Sequence, residues 1–216
     1  MNTIWGFGDS FTFGHGCRPD GPLTEYYNEY RKEGDKVWIE WLGEWKGMKT
    51  ENRGSCGVSN EYILDSVIDN YDSIESGDIV IIGTTLWGRR DVPVFLDEGR
   101  GAVDRWLPML SIIEVGGEVV GVNTMSVEDR RTLIDFQLRF GEHPLWEKRA
   151  MKRFGFLKEI LHNRGIQTLI WNINDEASRR TEKIRDVSPY KDSHFSFNGH
   201  LQWAHYLDKR LKGDLI

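Results

Sequence analysis

The chain has 216 residues, with 28 basic and 34 acidic side chains and a formal net charge of −6. At roughly 100–200 residues per domain, that length suits a single domain over 1–216. The acidic balance disfavours a nucleic-acid partner, which normally meets a basic patch, and the two cysteines, Cys17 and Cys56, are too few for a disulfide framework.

In chain order, Thr3–Phe7 is short, apolar and closed by Gly8, as a strand would be. Asp35–Trp45 places Val37, Trp38, Trp41, Leu42 and Trp45 at helical spacing. Such an aromatic stripe is more often core or interface than a ligand box. Met48–Asn52 is a short strand leading into the turn-rich NRGSCG. Ser59 reads as the N-cap of a helix reaching about Ile74, with Ile63, Val67, Ile68 and Tyr71 on one stripe. Asp78–Thr85 is continuously apolar, as in a strand buried on both faces. Residues 86–125 form an irregular insertion, with helical character at Arg105–Glu114 and a strand or hairpin arm at Glu118–Val122. Helices follow at Val127–Phe140 and Leu145–Arg164, then a strand at Gln167–Asn174 and a last helix at Gly199–Leu211.

Strands alternating with helices imply a parallel sheet covered on both faces. Ligands of open α/β sheets bind beyond the carboxyl ends of the strands. Four polar stretches then converge on one edge: Gly8-Asp9-Ser10, the loop Asn52–Gly57, Gly83-Thr84-Thr85 and Asn172-Ile173-Asn174.

Ser10 is placed to be a nucleophile at a strand-to-helix turn, though G-D-S alone more often only caps a helix. A serine needs a base with an orienting carboxylate. Of the six histidines, only His194 lies in a loop with an acid beside it, in Lys191-Asp192-Ser193-His194-Phe195. His143 and His162 read as surface residues, and His15 as surface before substrate contact. His200 and His205, inside the last helix, suit packing or exposure.

These residues carry a family resemblance. Gly8-Asp9-Ser10-Phe11-Thr12-Phe13-Gly14 resembles the first block of the SGNH (GDSL) hydrolases. Asn52–Ser59 is similar to the second, with Gly57 at the oxyanion position. Gly83-Thr84-Thr85 falls where the third belongs, and Asp192–His200 resembles the fifth. The opening GDSFTFG and the closing HFS…GH look most like members from bacteriophage genomes. The resemblance implies a three-layer α/β/α sandwich with a mostly parallel sheet, flavodoxin-like. It also implies an esterase or deacetylase that needs no cofactor. By carry-over, Ser10 is the nucleophile, His194 the general base and acid, and Asp192 its orienting acid. The backbone N–H groups of Ser10 and Gly57 would serve the oxyanion.

Two departures stand out. Thr85 occupies the slot of the family's asparagine, so the third oxyanion donor is Thr85, or else Asn172 or Asn174. Loss of one donor costs about 2.7–4 kcal/mol in the barrier. The family's aspartate sits three residues before the histidine, where this chain has Lys191. Asp192 lies two before it, and Asp186 is the reserve.

Asp9 is expected near substrate. Arg89 and Arg90, with Trp87 as a stacking platform, are read as holding an anionic or sugar substrate at the crevice, against the alternative of a surface pair and a core Trp. Cys17 and Cys56 are read as two buried thiols. No metal-ligand spacing, P-loop or dinucleotide fingerprint occurs. The expected partner is a small-molecule or glycan ester, with no nucleic acid and no membrane. The chain opens without a charged leader or long apolar segment, and its longest aliphatic run, Ile79–Ile82, is far short of the roughly 20 residues of a span. Cytoplasmic synthesis with reduced thiols is the expectation, with a virion-associated setting as the alternative. The leading function is hydrolysis of a small acyl ester, such as acetyl on a carbohydrate. The rivals are a catalytically degraded binding or structural module on the same fold, and an acyltransferase.

Overall fold

The computed structural model describes residues 1–14, 36–85, 144–172 and 195–213, the strand backbones at 91–96, 103–108, 113–115 and 118–120, and residues 128 and 132. The strands are β1 (Thr3–Gly8), β2 (Lys49–Gly54), β3 (Ile79–Thr84), β4 (Asp91–Leu96), β5 (Val103–Pro108), β6 (Ile113–Val115), β7 (Glu118–Val120) and β8 (Gln167–Asn172). The helices are α1 (Ser10–Phe13), α2 (Trp38–Lys46), α3 (Asn60–Asp69), α4 (Pro144–Asn163) and α5 (Phe197–Lys212).

Four strands make one parallel sheet in the order β2-β1-β3-β8. Its alternation explains the layers. Ile4 of β1 and Ile79 and Ile81 of β3 face one side, where they meet Trp38, Ile39 and Leu42 of α2 and Trp203, Ala204 and Leu207 of α5. Trp5, Phe7, Val80 and Ile82 face the other side, against Ile63 and Val67 of α3 and Phe154, Leu157 and Leu161 of α4. Successive side chains of a strand point to opposite faces, so the continuous apolar runs of β1 and β3 feed two cores. The result is a three-layer α/β/α fold.

Close packing sets where glycine is needed. A Cβ on Gly6 would lie 2.6 Å from Ile39 Cδ1, and one on Gly83 would lie 2.5 Å from the Trp171 ring. Both glycines let an aromatic-rich layer sit tightly on the sheet.

Helix ends follow local chemistry. Glu40 accepts from the Val37 N–H at 2.9 Å, and His200 Nδ1 accepts from the Trp38 N–H at 3.4 Å. Two first-turn donors of α2 are thus met, one of them by another helix. Ser59 caps α3 by accepting from the Tyr62 N–H at 3.1 Å. That helix stops at Asp69, and a single 3₁₀ turn, Tyr71–Ser73, replaces the expected extension to Ile74. Glu128 and Thr132 are both helical, and the rest of the helix expected at Val127–Phe140 lies outside the described residues.

The insertion departs from expectation. Val103–Pro108 is a strand paired antiparallel with Asp91–Leu96, so the helix expected at Arg105–Glu114 does not form. Strand β6 begins at Ile113 and pairs antiparallel with β7. The partner strand at 91–96 carries Val92, Val94 and Phe95, which suit a pleated surface, and Pro93, which suits no helix interior. Pairing with the preceding segment overrode the local pattern.

The tryptophan stripe of α2 divides. Trp38 is fully buried, Trp41 is half-buried, and Trp45 is 37% exposed. Trp45 stacks on Trp41, with centroids 6.0 Å apart, and on the exposed His205 at 4.4 Å.

Helices α2 and α5 are also tied by charge. Asp208 of α5 lies 2.8 Å from Lys46 of α2 and 2.6 Å from Lys212. Burial pushes the Asp208 carboxyl up, but hydrogen bonds from Lys212 and Lys46 outweigh this and hold it below the ordinary carboxylate value. A depressed folded value stabilises the fold above the unfolded carboxylate pKa, and the gain is lost as pH falls through the lower folded value. Asp208→Asn should therefore cost under about 1 kcal/mol at neutral pH, as for a solvent-screened pair. Denaturant titrations of both forms should converge in acid, below the folded value. A penalty that persisted there would assign the effect to packing.

Candidate active site

The chain runs from β1 outward to β2, then back across β1 to β3 and on to β8. The direction of winding reverses between β1 and β3, and a crevice opens beyond their carboxyl ends at such a reversal. Ser10 follows β1 and Thr85 follows β3, so topology brings both to this point.

Asp9 shapes the Ser10 turn. Its carboxylate accepts from the Phe11 N–H at 3.1 Å, and its carbonyl accepts from the N–H groups of Thr12 and Phe13 at 3.0 and 2.9 Å. Gly14 closes the turn with φ of 96°, a left-handed conformation that favours glycine. Ser10 therefore opens a one-turn helix at the end of a buried strand and is 5% exposed. A Cβ on Gly8 would run into the Thr12 side chain and lie 3.0 Å from the Gly83 carbonyl. Gly8→Ala should cost about 1–3 kcal/mol in chemical denaturation, the usual range for overpacking. An unchanged midpoint would mean that the turn moves aside freely.

The loop after β2 is locked to the same turn. The Ser55 N–H donates to the Gly8 carbonyl at 3.0 Å, and Asn52 Nδ2 donates to the Thr12 carbonyl at 2.9 Å. Gly57 has φ of +75°, and two residues later Ser59 caps α3. Residues 52–55 thus pack against the turn that carries Ser10.

Thr85 is fully buried. Asn60 grips it through both backbone groups: the Thr85 N–H donates to Asn60 Oδ1 at 3.0 Å, and Asn60 Nδ2 donates to the Thr85 carbonyl at 3.1 Å. The Thr85 hydroxyl donates to Asp9 Oδ2 at 2.7 Å. A threonine hydroxyl has one proton, so this bond takes the proton that an oxyanion would need. Asp9 is 3% exposed with both carboxylate oxygens engaged, which turns it inward and away from the expected substrate contact. Asn172 is buried at the end of β8.

Phe195 directly follows His194 in sequence. Its ring packs edge-on against Phe11, the residue after Ser10, with centroids 5.1 Å apart. It also contacts His200 at 5.4 Å and Trp203 at 5.6 Å. Ser196 caps α5 by accepting from the Gly199 N–H at 3.1 Å. His200 is fully buried beside Phe195, and His162 is exposed. His194, Asp192 and Asp186 lie outside the described residues. So do Trp87, Arg89, Arg90, Asn174, His15, His143 and Cys17. Cys56 is exposed, where a buried thiol was expected: it sits in the turn between β2 and α3, not under a core element.

Asn60 and the Phe11–Phe195 contact are absent from the motif reading. The signal for Asn60 was an amide on an apolar stripe, since Asn60, Ile63 and Val67 all lie on the buried side of α3. Among the described residues, no group of three or more His, Cys, Asp or Glu is arranged to hold a metal ion, and no helix is long and apolar enough to cross a membrane.

No protein-family model and no curated protein matches the chain. Solved structures do. A protein described as lipolytic, of the G-D-S-L family, from Desulfitobacterium hafniense is 13% identical, with a TM-score of 0.40 over 98% of this chain and 99% of that one. A carbohydrate esterase is 11% identical, with a TM-score of 0.40 over 98% of this chain and 65% of that one. An aryl esterase from M. smegmatis is 11% identical, with a TM-score of 0.44 over the full length of both chains. None of these three descriptions bears on the bacteriophage likeness. The chain is thus similar, over 98–100% of its length, to solved lipolytic and esterase proteins.

Proposed function

We propose that the chain is a serine hydrolase of carboxylic esters, with Ser10 as nucleophile and His194 as general base and acid. The observation that supports it is the contact between Phe11 and Phe195. Phe11 directly follows Ser10 and Phe195 directly follows His194, so their ring contact supports the reading in which the two motifs act together. Ser10 Oγ attacks the acyl carbon while His194 takes its proton. The oxyanion that forms meets the backbone N–H groups of Ser10 and Gly57. Collapse expels the alcohol, which receives the proton from His194, and water then hydrolyses the acyl-enzyme by the reverse roles. Asp192 orients the imidazole, with Asp186 in reserve.

The proposed substrate is a small acyl ester, such as acetyl on a carbohydrate. Trp87, Arg89 and Arg90 follow β3 and are proposed to contact its alcohol portion. Thr85 is not proposed as an oxyanion donor, because its proton is directed at Asp9. That same bond favours, as a second reading, a binding module on this fold with weakened chemistry. A fluorophosphonate probe separates the two. Labelling that maps to Ser10 and vanishes in Ser10→Ala supports the hydrolase. Neither labelling nor turnover of p-nitrophenyl acetate would leave the binding module.

A further inference from the structure

We propose that Asn60 is a positioning residue that holds the Ser10 turn through a relay of Thr85 and Asp9. The proposal rests on the hydrolase reading of Ser10 and adds to it a part that the motif blocks do not contain. The relay is continuous. Asn60 fixes both backbone groups of Thr85 at 3.0 and 3.1 Å. The Thr85 hydroxyl donates to Asp9 Oδ2 at 2.7 Å, and Asp9 Oδ1 accepts from the Phe11 N–H at 3.1 Å.

Each member is shielded from water: Asn60 is 4% exposed, Thr85 is fully buried and Asp9 is 3% exposed. Hydrogen bonds to a buried carboxylate are charge-assisted and strong, and breaking one leaves a buried acceptor short of a donor. The relay also joins the two walls that supply oxyanion donors. Asn60 stands three residues after Gly57 at the start of α3, and Asp9 directly precedes Ser10. Locking these walls to the end of β3 fixes the distance between the Ser10 and Gly57 N–H groups. Where the family places an asparagine that touches the oxyanion, this chain uses Thr85 to hold the donors in register.

The test compares wild type with Asn60→Ala, Thr85→Val and Thr85→Ser. Valine keeps the shape of threonine and replaces its hydroxyl with a methyl, so Thr85→Val breaks the relay at a second point should Asn60→Ala prove unstable. The folding of each variant is checked by thermal unfolding. Two readouts are taken: the rate of fluorophosphonate labelling at Ser10, and hydrogen exchange of the peptide spanning 9–14 with the β8 peptide as control. A small misplacement of reacting groups can cost about 10²-fold, so Thr85→Val and Asn60→Ala should label at least about tenfold more slowly. Thr85→Ser should recover most of the rate. The 9–14 peptide should exchange faster in Thr85→Val and Asn60→Ala, with β8 unchanged. Labelling of wild type, Thr85→Val and Asn60→Ala at one rate would overturn the relay and leave the hydrolase intact. If wild type is not labelled, the hydrolase reading fails and exchange decides the relay: unchanged exchange in Thr85→Val overturns it, and faster exchange confined to 9–14 sustains it.

Discussion

Ser10→Ala is expected to lower turnover of p-nitrophenyl acetate by at least about 10³-fold, because removing a nucleophile that acts as a unit with its base removes the covalent route. Thermal unfolding should move little, since the substitution deletes one oxygen from a side chain at a helix start. His194→Ala should lose activity to a similar degree, and the double variant should be no worse than the worse single one. In wild type, activity should fall on acidification below neutral, as the imidazole takes up a proton and ceases to be a base. A Ser10→Ala variant that kept a tenth of its activity would move the nucleophile elsewhere. Additive losses in the double variant would separate Ser10 from His194.

The largest effect on stability is expected at Trp203. It is fully buried in the layer of α2 and α5, against Trp171 at 4.9 Å, Phe195 at 5.6 Å and Tyr206 at 4.9 Å. Trp203→Ala should cost about 3–5 kcal/mol in chemical denaturation, the sum of lost transfer and an unfilled cavity. Trp203→Phe should cost far less than that. Among the described residues the buried Trp203 Nε1–H has no hydrogen-bond partner, so the smaller ring loses volume but none of their bonds. Because Phe195 leans on Trp203, the alanine variant should also label more slowly at Ser10 under conditions where it remains folded. Equal costs for Ala and Phe would mean that ring packing is not what Trp203 supplies.

Much of the sheet was legible because burial on both faces writes itself as continuous apolar sequence. Ile79–Ile82 and Ile4–Phe7 show this directly, and their alternating attachment to two cores follows from strand geometry alone. Ser59 was legible as a cap because serine at that position has one local job, accepting from the Tyr62 N–H. The strand at Val103–Pro108 was not legible. Its pairing with Asp91–Leu96 lies outside the stretch whose local pattern reads as helical, and pairing with another strand decides strand formation more than local propensity does.

The candidate site divides along the same line. Residue types that carry chemistry declare themselves in sequence: a serine between glycines at a strand end, and a histidine beside an acid. What those residues do depends on where protons point. Thr85 and Asp9 look available in sequence, one as a donor and one as a substrate contact, yet the fold turns them toward each other at 2.7 Å. Asn60 looks like an ordinary start to a helix, yet it spans 25 positions in sequence to hold Thr85.

Local sequence by itself determined the strands and helices of the two-faced parallel sheet and the block that presents Ser10. These depend on apolar periodicity and on turn chemistry, which act within a few residues. Only the tertiary structure decided the directions of the buried hydrogen bonds and the meeting of Phe11 with Phe195 across 184 positions of chain. A buried polar group must find a partner wherever the packed fold provides one, and no stretch of sequence contains that choice.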